Sequence, residues 1–482
     1  MNVSSIIYFC SQILGIEGVL MALPCIVAVI YGERQGLAFL PVMAVCIIIG
    51  LIARARRPVK RDFFVRDAMI TCAFSWLLMS AAGALPFTIC GDIPSYVDAL
   101  FETISGFTTT GASILTNVEA MSRCMLFWRS FTHWIGGMGI LVFMLAVIPM
   151  TGGSQMNLMK AESPGPSVGK FVPRLRTTAT LMYTIYLVLT AAEIIILIAL
   201  RMRVFDAVCM SFGSAGTGGF GVLNDSAASY TAAQQVVIGV FMLLFGVNFT
   251  FYFYIISRKL RLALGMEEVR AYIAVVLGSV VLIAINIFHM YSTAAETLRA
   301  SFFQVSSIIT TTGFVSVDFD RWPLFSRMIL VVLMFIGACA GSTGGGLKVS
   351  RVVVMFKSVR NELRHAVQPR EVRRVYLDGK PMDTAVVQGI YQFFMAYTVV
   401  FAVSFLIVSL ENTSFGTAFT AIAATINNIG PGLEMVGPTV NYSFFSPLSK
   451  FVMMFDMLAG RLEILPMLIL VMPNTWKKMA GR

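Results

Sequence analysis

Charge is what this chain has little of. Asp, Glu, Lys and Arg make up 13% of its 482 residues and hydrophobic residues 57%, whereas soluble domains carry about 25% charged and about 45–50% apolar residues. Paired cysteine spacing is missing as well. Eight Cys stand singly at 10, 25, 46, 72, 90, 124, 209 and 339, mostly in apolar runs where a thiol behaves as a small hydrophobe. His133, His289 and His365 share no ligand spacing, which leaves a metal site without support. No His/Asp or Ser/His cluster is present, so a membrane-embedded enzyme such as a lipid transferase lacks its constellation. A ladder of membrane carboxylates is absent too, since Glu193 and Asp456 stand alone. The N-terminus has neither the basic start nor the small-residue cleavage site of a secretory signal, so Ile13–Ile30 reads as a retained helix.

Long apolar runs such as Ile185–Leu200 and Val331–Ala340 with their flanks are of membrane-spanning character. The net charge of +11 is unevenly placed. Arg54, Arg56, Arg57, Lys60, Arg61 and Arg66 mark the first long loop as cytoplasmic, and most other Lys and Arg fall in segments on that same side. This pattern, with attraction to anionic membrane lipid, explains the basic balance without a nucleic-acid partner.

One pattern occurs four times: Thr108-Thr109-Thr110-Gly111, Ala215-Gly216-Thr217-Gly218-Gly219-Phe220, Ile309-Thr310-Thr311-Thr312-Gly313-Phe314 and Thr425-Ile426-Asn427-Asn428-Ile429-Gly430. Each follows a short apolar segment and lies between longer ones. Four such stretches are not explained by Gly and Thr as turn punctuation. They are the layout of an ion selectivity filter, in which main-chain carbonyls replace an ion's hydration shell. The half-length helix before each would direct its partially negative C-terminus toward a cation. A single Gly per stretch predicts few ordered ion sites.

The expected fold is an all-α polytopic membrane protein. Four helix–pore-helix–filter–helix repeats surround a pseudo-fourfold pore, with an additional N-terminal helix pair. The units are 1–60 (helix pair, over 12–31 and 37–53), 61–160, 161–265, 266–380 with a cytoplasmic helix over 347–366, and 381–482. The helix–pore-helix–helix segments expected are 68–90, 96–107 and 124–148; 178–200, 204–213 and 234–256; 271–291, 295–308 and a long helix from 325; and 386–410, 414–424 and 446–472. A Pro/Gly-rich linker, including Ala161–Pro166, with Lys160, Lys170, Arg174 and Arg176, separates the first two repeats.

Gly341-Ser342-Thr343-Gly344-Gly345-Gly346 interrupts the third exit helix, because consecutive Gly cost about 1 kcal/mol each in a helix. It reads as a gate loop below the filter or as a simple helix end. Leu347 before Lys348, and the lack of a preceding strand, exclude a phosphate-binding loop. Gly216–Gly221 fits GxGxxG but has no βαβ context. Arg461, within the last helix, reads as a latch on the glycine loop or as a partner of Glu463. Asp92, Asp98, Glu102, Asp206, Glu296 and Glu434 are outer acids that would focus the field for cations.

These residues resemble the bacterial Trk potassium-uptake family of the Trk/Ktr/HKT group, specifically its TrkH/TrkG membrane subunits. The likeness rests on the Thr-Thr-Thr-Gly111 filter, His133-Trp134-Ile135-Gly136-Gly137-Met138-Gly139, Pro164-Gly165-Pro166, Gly341–Gly346 with Leu347-Lys348-Val349, Asn427-Asn428-Ile429-Gly430-Pro431-Gly432, and Gly460-Arg461-Leu462-Glu463. The resemblance implies gated potassium uptake across the bacterial inner membrane by a homodimer, with both termini cytoplasmic. It also implies a TrkA-like cytoplasmic subunit that binds NAD and ATP, and no organic cofactor on this chain. Potassium contacts would fall on Thr109, Thr110, Gly111, Thr217, Gly218, Gly219, Thr311, Thr312, Gly313, Asn427, Asn428 and Gly430. Gly341–Gly346 and Arg461 would restrict flow. A symporter coupled to protons or sodium is the alternative.

Overall fold

The computed structural model describes residues 2–56, 64–139, 175–370 and 374–477. The Ala161–Pro166 linker, Lys160, Lys170 and Arg174, residues 140–148 of the first exit helix, and Arg57, Lys60 and Arg61 lie outside the described residues.

Six of the described helices are long and apolar enough to cross a membrane. Two form the N-terminal pair, Val3–Tyr31 and Arg34–Ala55. They lie close where Gly15 meets Gly50, since a Cβ on Gly50 would sit 2.8 Å from the Gly15 Cα. Backbone approach at small residues supplies the packing that the hydrophobic effect cannot supply in lipid. The other four are the entry helices of the repeats: Val65–Cys90, Leu175–Ala199, Glu267–Ile287 and Thr384–Val408.

A pore helix follows each entry helix, at Tyr96–Phe107, Val204–Gly216, Ala294–Ile309 and Phe415–Ile426. Ser95, Thr293 and Ser414 cap three of them by accepting an amide three residues on. The exit helices are Arg123–Gly137, Ala232–Gly246, Leu324–Ile336 and Pro447–Arg461. Each exit helix packs on the pore helix of the next repeat, and the fourth packs on the first, which closes a ring.

The exit helices depart most from the expected segments. A continuous helix over 234–256 is instead bent by 90° between Ala232–Gly246 and Phe249–Ile256. Asn248 causes the restart, because its side chain accepts the Thr250 amide at 2.9 Å and caps the new helix. The expected helix over 446–472 stops at Arg461 and resumes at Leu465–Val471, with Glu463 and Ile464 at φ +63° and +62° between the two pieces. An antiparallel hairpin, Tyr376–Leu377 with Lys380–Pro381, turns through Asp378-Gly379 after the cytoplasmic helix Val349–Val367. Both hairpin turn residues have positive φ, as a two-residue turn of this kind requires.

Candidate permeation site

All four pore helices end in the same way. One residue at each end turns left-handed: Thr109 at φ +56°, Thr217 at +55°, Thr311 at +58° and Asn428 at +56°. Its amide bonds back three residues, to Gly106, Ser214, Ile308 and Thr425. The following amide bonds back five residues, from Thr110 to Ser105, Gly218 to Gly213, Thr312 to Ser307 and Ile429 to Ala424. This is a Schellman end, where Gly is the usual left-handed residue. A β-branched Thr in that conformation is an outlier, with a cost of order 1–3 kcal/mol. Three strained Thr occupy equivalent places in the first three repeats.

The turn sets the path of the backbone beyond it. Gly111, Gly219, Gly313 and Gly430 take φ of +79°, +80°, +84° and +94°. A Cβ on Gly111 would overlap the Gly218 carbonyl, one on Gly219 the Thr312 carbonyl, and one on Gly313 the Ile429 carbonyl. The circuit closes at Gly430, where a Cβ would lie 2.7 Å from the Thr110 carbonyl. Four glycines therefore meet four carbonyls around one ring. Any side chain at these positions would displace an oxygen.

The ring brings together Thr109, Thr110, Gly111, Thr217, Gly218, Gly219, Thr311, Thr312, Gly313, Asn428 and Gly430. Asn427 is different. Its register matches Thr108, Gly216 and Thr310, one step before the turn, and its side chain is engaged by Tyr397 Oη at 3.1 Å and the Ala423 carbonyl at 2.9 Å. Ile429 takes the place beside Thr110, Gly218 and Thr312. Counting back from each terminal Gly would have found it. Thr109 Oγ1 and Asn428 Oδ1 are buried without a hydrogen-bond partner among the described residues, which leaves oxygen available to a cation.

Side chains hold the quarters in register. Buried Arg129 bonds Glu102 and donates to the Gly221 carbonyl at 2.9 Å, with its guanidinium 3.5 Å from the Phe220 ring centre. His133 Nδ1 lies 2.7 Å from the Gly106 carbonyl, while its Nε2 accepts the Phe220 amide at 3.2 Å. These contacts define a neutral ring carrying its proton on Nδ1. Between repeats two and three, the Ala227 amide donates to Val315 O at 2.8 Å. The Glu434 amide reaches Asp320 at 3.2 Å between three and four. Asn428 reaches Thr110 Oγ1 at 3.0 Å between four and one, where the Tyr442 amide also donates to the Ser113 carbonyl at 2.8 Å.

Four of the six outer acids are engaged by neighbouring groups. Glu102 is buried against Arg129, and Asp98 pairs with Lys450 at 2.6 Å. Asp92 accepts the Ser122 hydroxyl at 2.9 Å. Glu434 accepts Ser414 and Thr417 hydroxyls, and the Ser414 contact holds its carboxyl below the usual range.

Gly341–Gly346 runs directly beneath the ring. The Gly345 amide donates to Thr311 Oγ1 at 2.6 Å, and a Cβ on Gly345 would lie 2.5 Å from the Asn427 carbonyl. Arg461 donates to the Thr343 carbonyl at 2.7 Å and to Gly136 and Gly137 carbonyls on the first exit helix. Glu463 pairs with Arg351 instead. Lys348 bonds the Gly344 carbonyl, while Ser342 Oγ donates to the Cys339 carbonyl at 2.6 Å.

A family model described as TrkH, cation transport protein, matches residues 35–478. The chain is 37% identical over 467 residues to the Trk system potassium uptake protein TrkH of Salmonella typhimurium, covering 95% of this chain and 96% of that one. It is 31% identical over 485 residues to the Trk system potassium uptake protein TrkG of Escherichia coli, covering 99% of each. The crystal structure of the potassium transporter TrkH from Vibrio parahaemolyticus superposes with a TM-score of 0.88 at 33% identity, covering 99% of this chain and 100% of that one.

Proposed function

The chain belongs to the TrkH family of cation transport proteins, and from that premise we propose that it takes up potassium through the ring of filter backbones. The ring closure, each filter glycine against a carbonyl of the next repeat, carries the reading. It gives a dehydrated cation several preplaced oxygens at one level, as selectivity by carbonyl coordination requires. Residues 61–160, 161–265, 266–380 and 381–482 act as the four quarter-pore units, and 1–60 packs outside them. The protein sits in the bacterial inner membrane with both termini cytoplasmic.

Gly341–Gly346 is the gate in this reading and Arg461 its latch. Support comes from the loop's position under Thr311 and from its tie across to Gly136 and Gly137. Conduction without a coupling ion is favoured because buried Glu193 and Asp456 lie on separate repeats. The chain works as a homodimer with a cytoplasmic NAD- and ATP-binding subunit acting on helix Val349–Val367. That helix leaves Phe356, Val359, Leu363 and Val367 exposed on one stripe.

Rubidium uptake by the purified protein in liposomes, competed by potassium, sodium and caesium, tests the function. Potassium should compete best. Absence of uptake by the loop-trimmed protein, in which the gate is removed, would overturn the proposal.

A further inference from the structure

The glycine loop is held from a second side, by groups that belong neither to the filter nor to the last helix. Glu268, second residue of the third entry helix, is buried and its carboxylate accepts three N–H donors. Oε1 takes the Ala340 amide at 2.6 Å and the Ser350 amide at 3.2 Å, while Oε2 takes Asn248 Nδ2 at 3.3 Å. The two amides lie on either side of Gly341–Gly346. One carboxylate therefore pins both ends of the loop.

Asn248 stands at the break in the second exit helix, and that break is a docking site. In an unbroken helix the Phe249 amide would bond the Phe245 carbonyl, and Thr250 would bond Gly246. Here Phe249 donates to the Gly341 carbonyl at 3.0 Å and Thr250 to Asn248 Oδ1. The vacated carbonyls take the loop instead: Thr343 Oγ1 bonds Phe245 O at 3.2 Å, and the Cys339 amide bonds Gly246 O at 3.0 Å. Helix bonds have been exchanged for loop bonds.

We propose that Glu268 and the broken second exit helix form the seat that keeps the glycine loop across the pathway. Glu268 is a positioning residue that sets how readily the loop departs. When the loop leaves, the orphaned helix groups can bond one another, so loop exit and straightening of that helix are one two-state event. Adjacent Glu267 connects the seat to the cytoplasmic side. Its carboxylate binds Lys357 on helix Val349–Val367, and its amide donates to Asp378 of the hairpin at 2.7 Å. The proposal rests on the gate reading above.

The experiment is rubidium flux through the purified full-length chain in liposomes, comparing parent, Glu268→Gln, Asn248→Ala and a loop-trimmed form. Glu268→Gln keeps the volume and removes the anion. It should raise flux about tenfold, the population change expected from losing one charge-assisted hydrogen bond. Asn248→Ala should move flux in the same direction, because Thr250 loses its alternative acceptor. Potassium over sodium preference should not change. Maleimide labelling of Cys339, followed by peptide mass spectrometry, should accelerate in both variants, since this buried thiol lies at the loop's start. If trimming raises flux while Glu268→Gln and Asn248→Ala stay at or below parent, with Cys339 labelling unchanged, the seat is overturned and the gate stands. If trimming itself leaves flux unchanged, the gate reading fails and the seat falls with it.

Discussion

The filter ring and the glycine loop lie in contact, yet they are secured in opposite ways. Each quarter of the ring has its own two-bond helix ending, and at least one further hydrogen bond ties every pair of neighbouring quarters. Loss of one bond leaves the others. The loop is secured by bonds from several unlike elements: Thr311, Glu268, Arg461, Lys348 and the vacated groups of the second exit helix. These bonds follow no repeated pattern. A repeated helix ending suits a backbone that retains strained Thr, whereas bonds gathered from unlike elements suit the release proposed above for the loop.

The contrast is broken most severely on the ring side. Arg129→Leu strips a partner from buried Glu102 and should destabilise the protein by about 3–5 kcal/mol, the usual cost of an uncompensated buried charge. The check is the melting temperature in detergent. An unchanged melting point would mean that the first seam is dispensable. Next is Gly313→Ser, whose Cβ meets the Ile429 carbonyl. It should reduce potassium over sodium preference about tenfold, equivalent to one misplaced ligand of about 1.4 kcal/mol. Equal relative uptake of the two ions before and after would dissociate this glycine from selectivity.

On the loop side, Arg461→Ala should raise rubidium flux several-fold and leave preference unaltered. Decreased flux would assign Arg461 a purely structural role. The smallest effect belongs to the outer rim. Serine and threonine hydroxyls hold the Glu434 carboxyl below its ordinary range. Its contribution is therefore complete above the unfolded carboxylate pKa of about 4.3 and is lost as pH falls through the lower folded value. Glu434→Gln should flatten the melting curve's dependence on pH only below that region. A difference between the two proteins in that dependence at pH 6–8 would contradict the assignment.

Much of the ring was legible because its chemistry is local. A short apolar segment, a polar turn and a Gly fall within a few residues, and they recur four times. The expected pore helix over 96–107 coincides with Tyr96–Phe107. The breaks in the exit helices were less legible, since Ala232–Ile256 and Pro447–Val471 are largely apolar and Gly246 alone does not stop a helix, although Pro466, which opens the resumed helix Leu465–Val471, is a breaker signal in the fourth. Asn427 and Ile429 stand one step from where side-chain polarity puts them, because the left-handed turn at Asn428 sets the register. Glu268 gave no signal, because the amides it accepts are 72 and 82 residues away. His133 was visible as a histidine without ligand spacing and as part of the His133–Gly139 motif, but without a role. Its partners, Gly106 and Phe220, become neighbours only when two repeats meet.

The four filter glycines touch carbonyls of four separate residues, Gly218, Thr312, Ile429 and Thr110. In an assembly of four identical subunits, one codon change would alter every side of the aperture together. Here a single replacement changes a quarter of it. Under the permeation route proposed above, ion preference is tuned in small independent steps, and lopsided apertures become accessible that fourfold-symmetric assemblies cannot form.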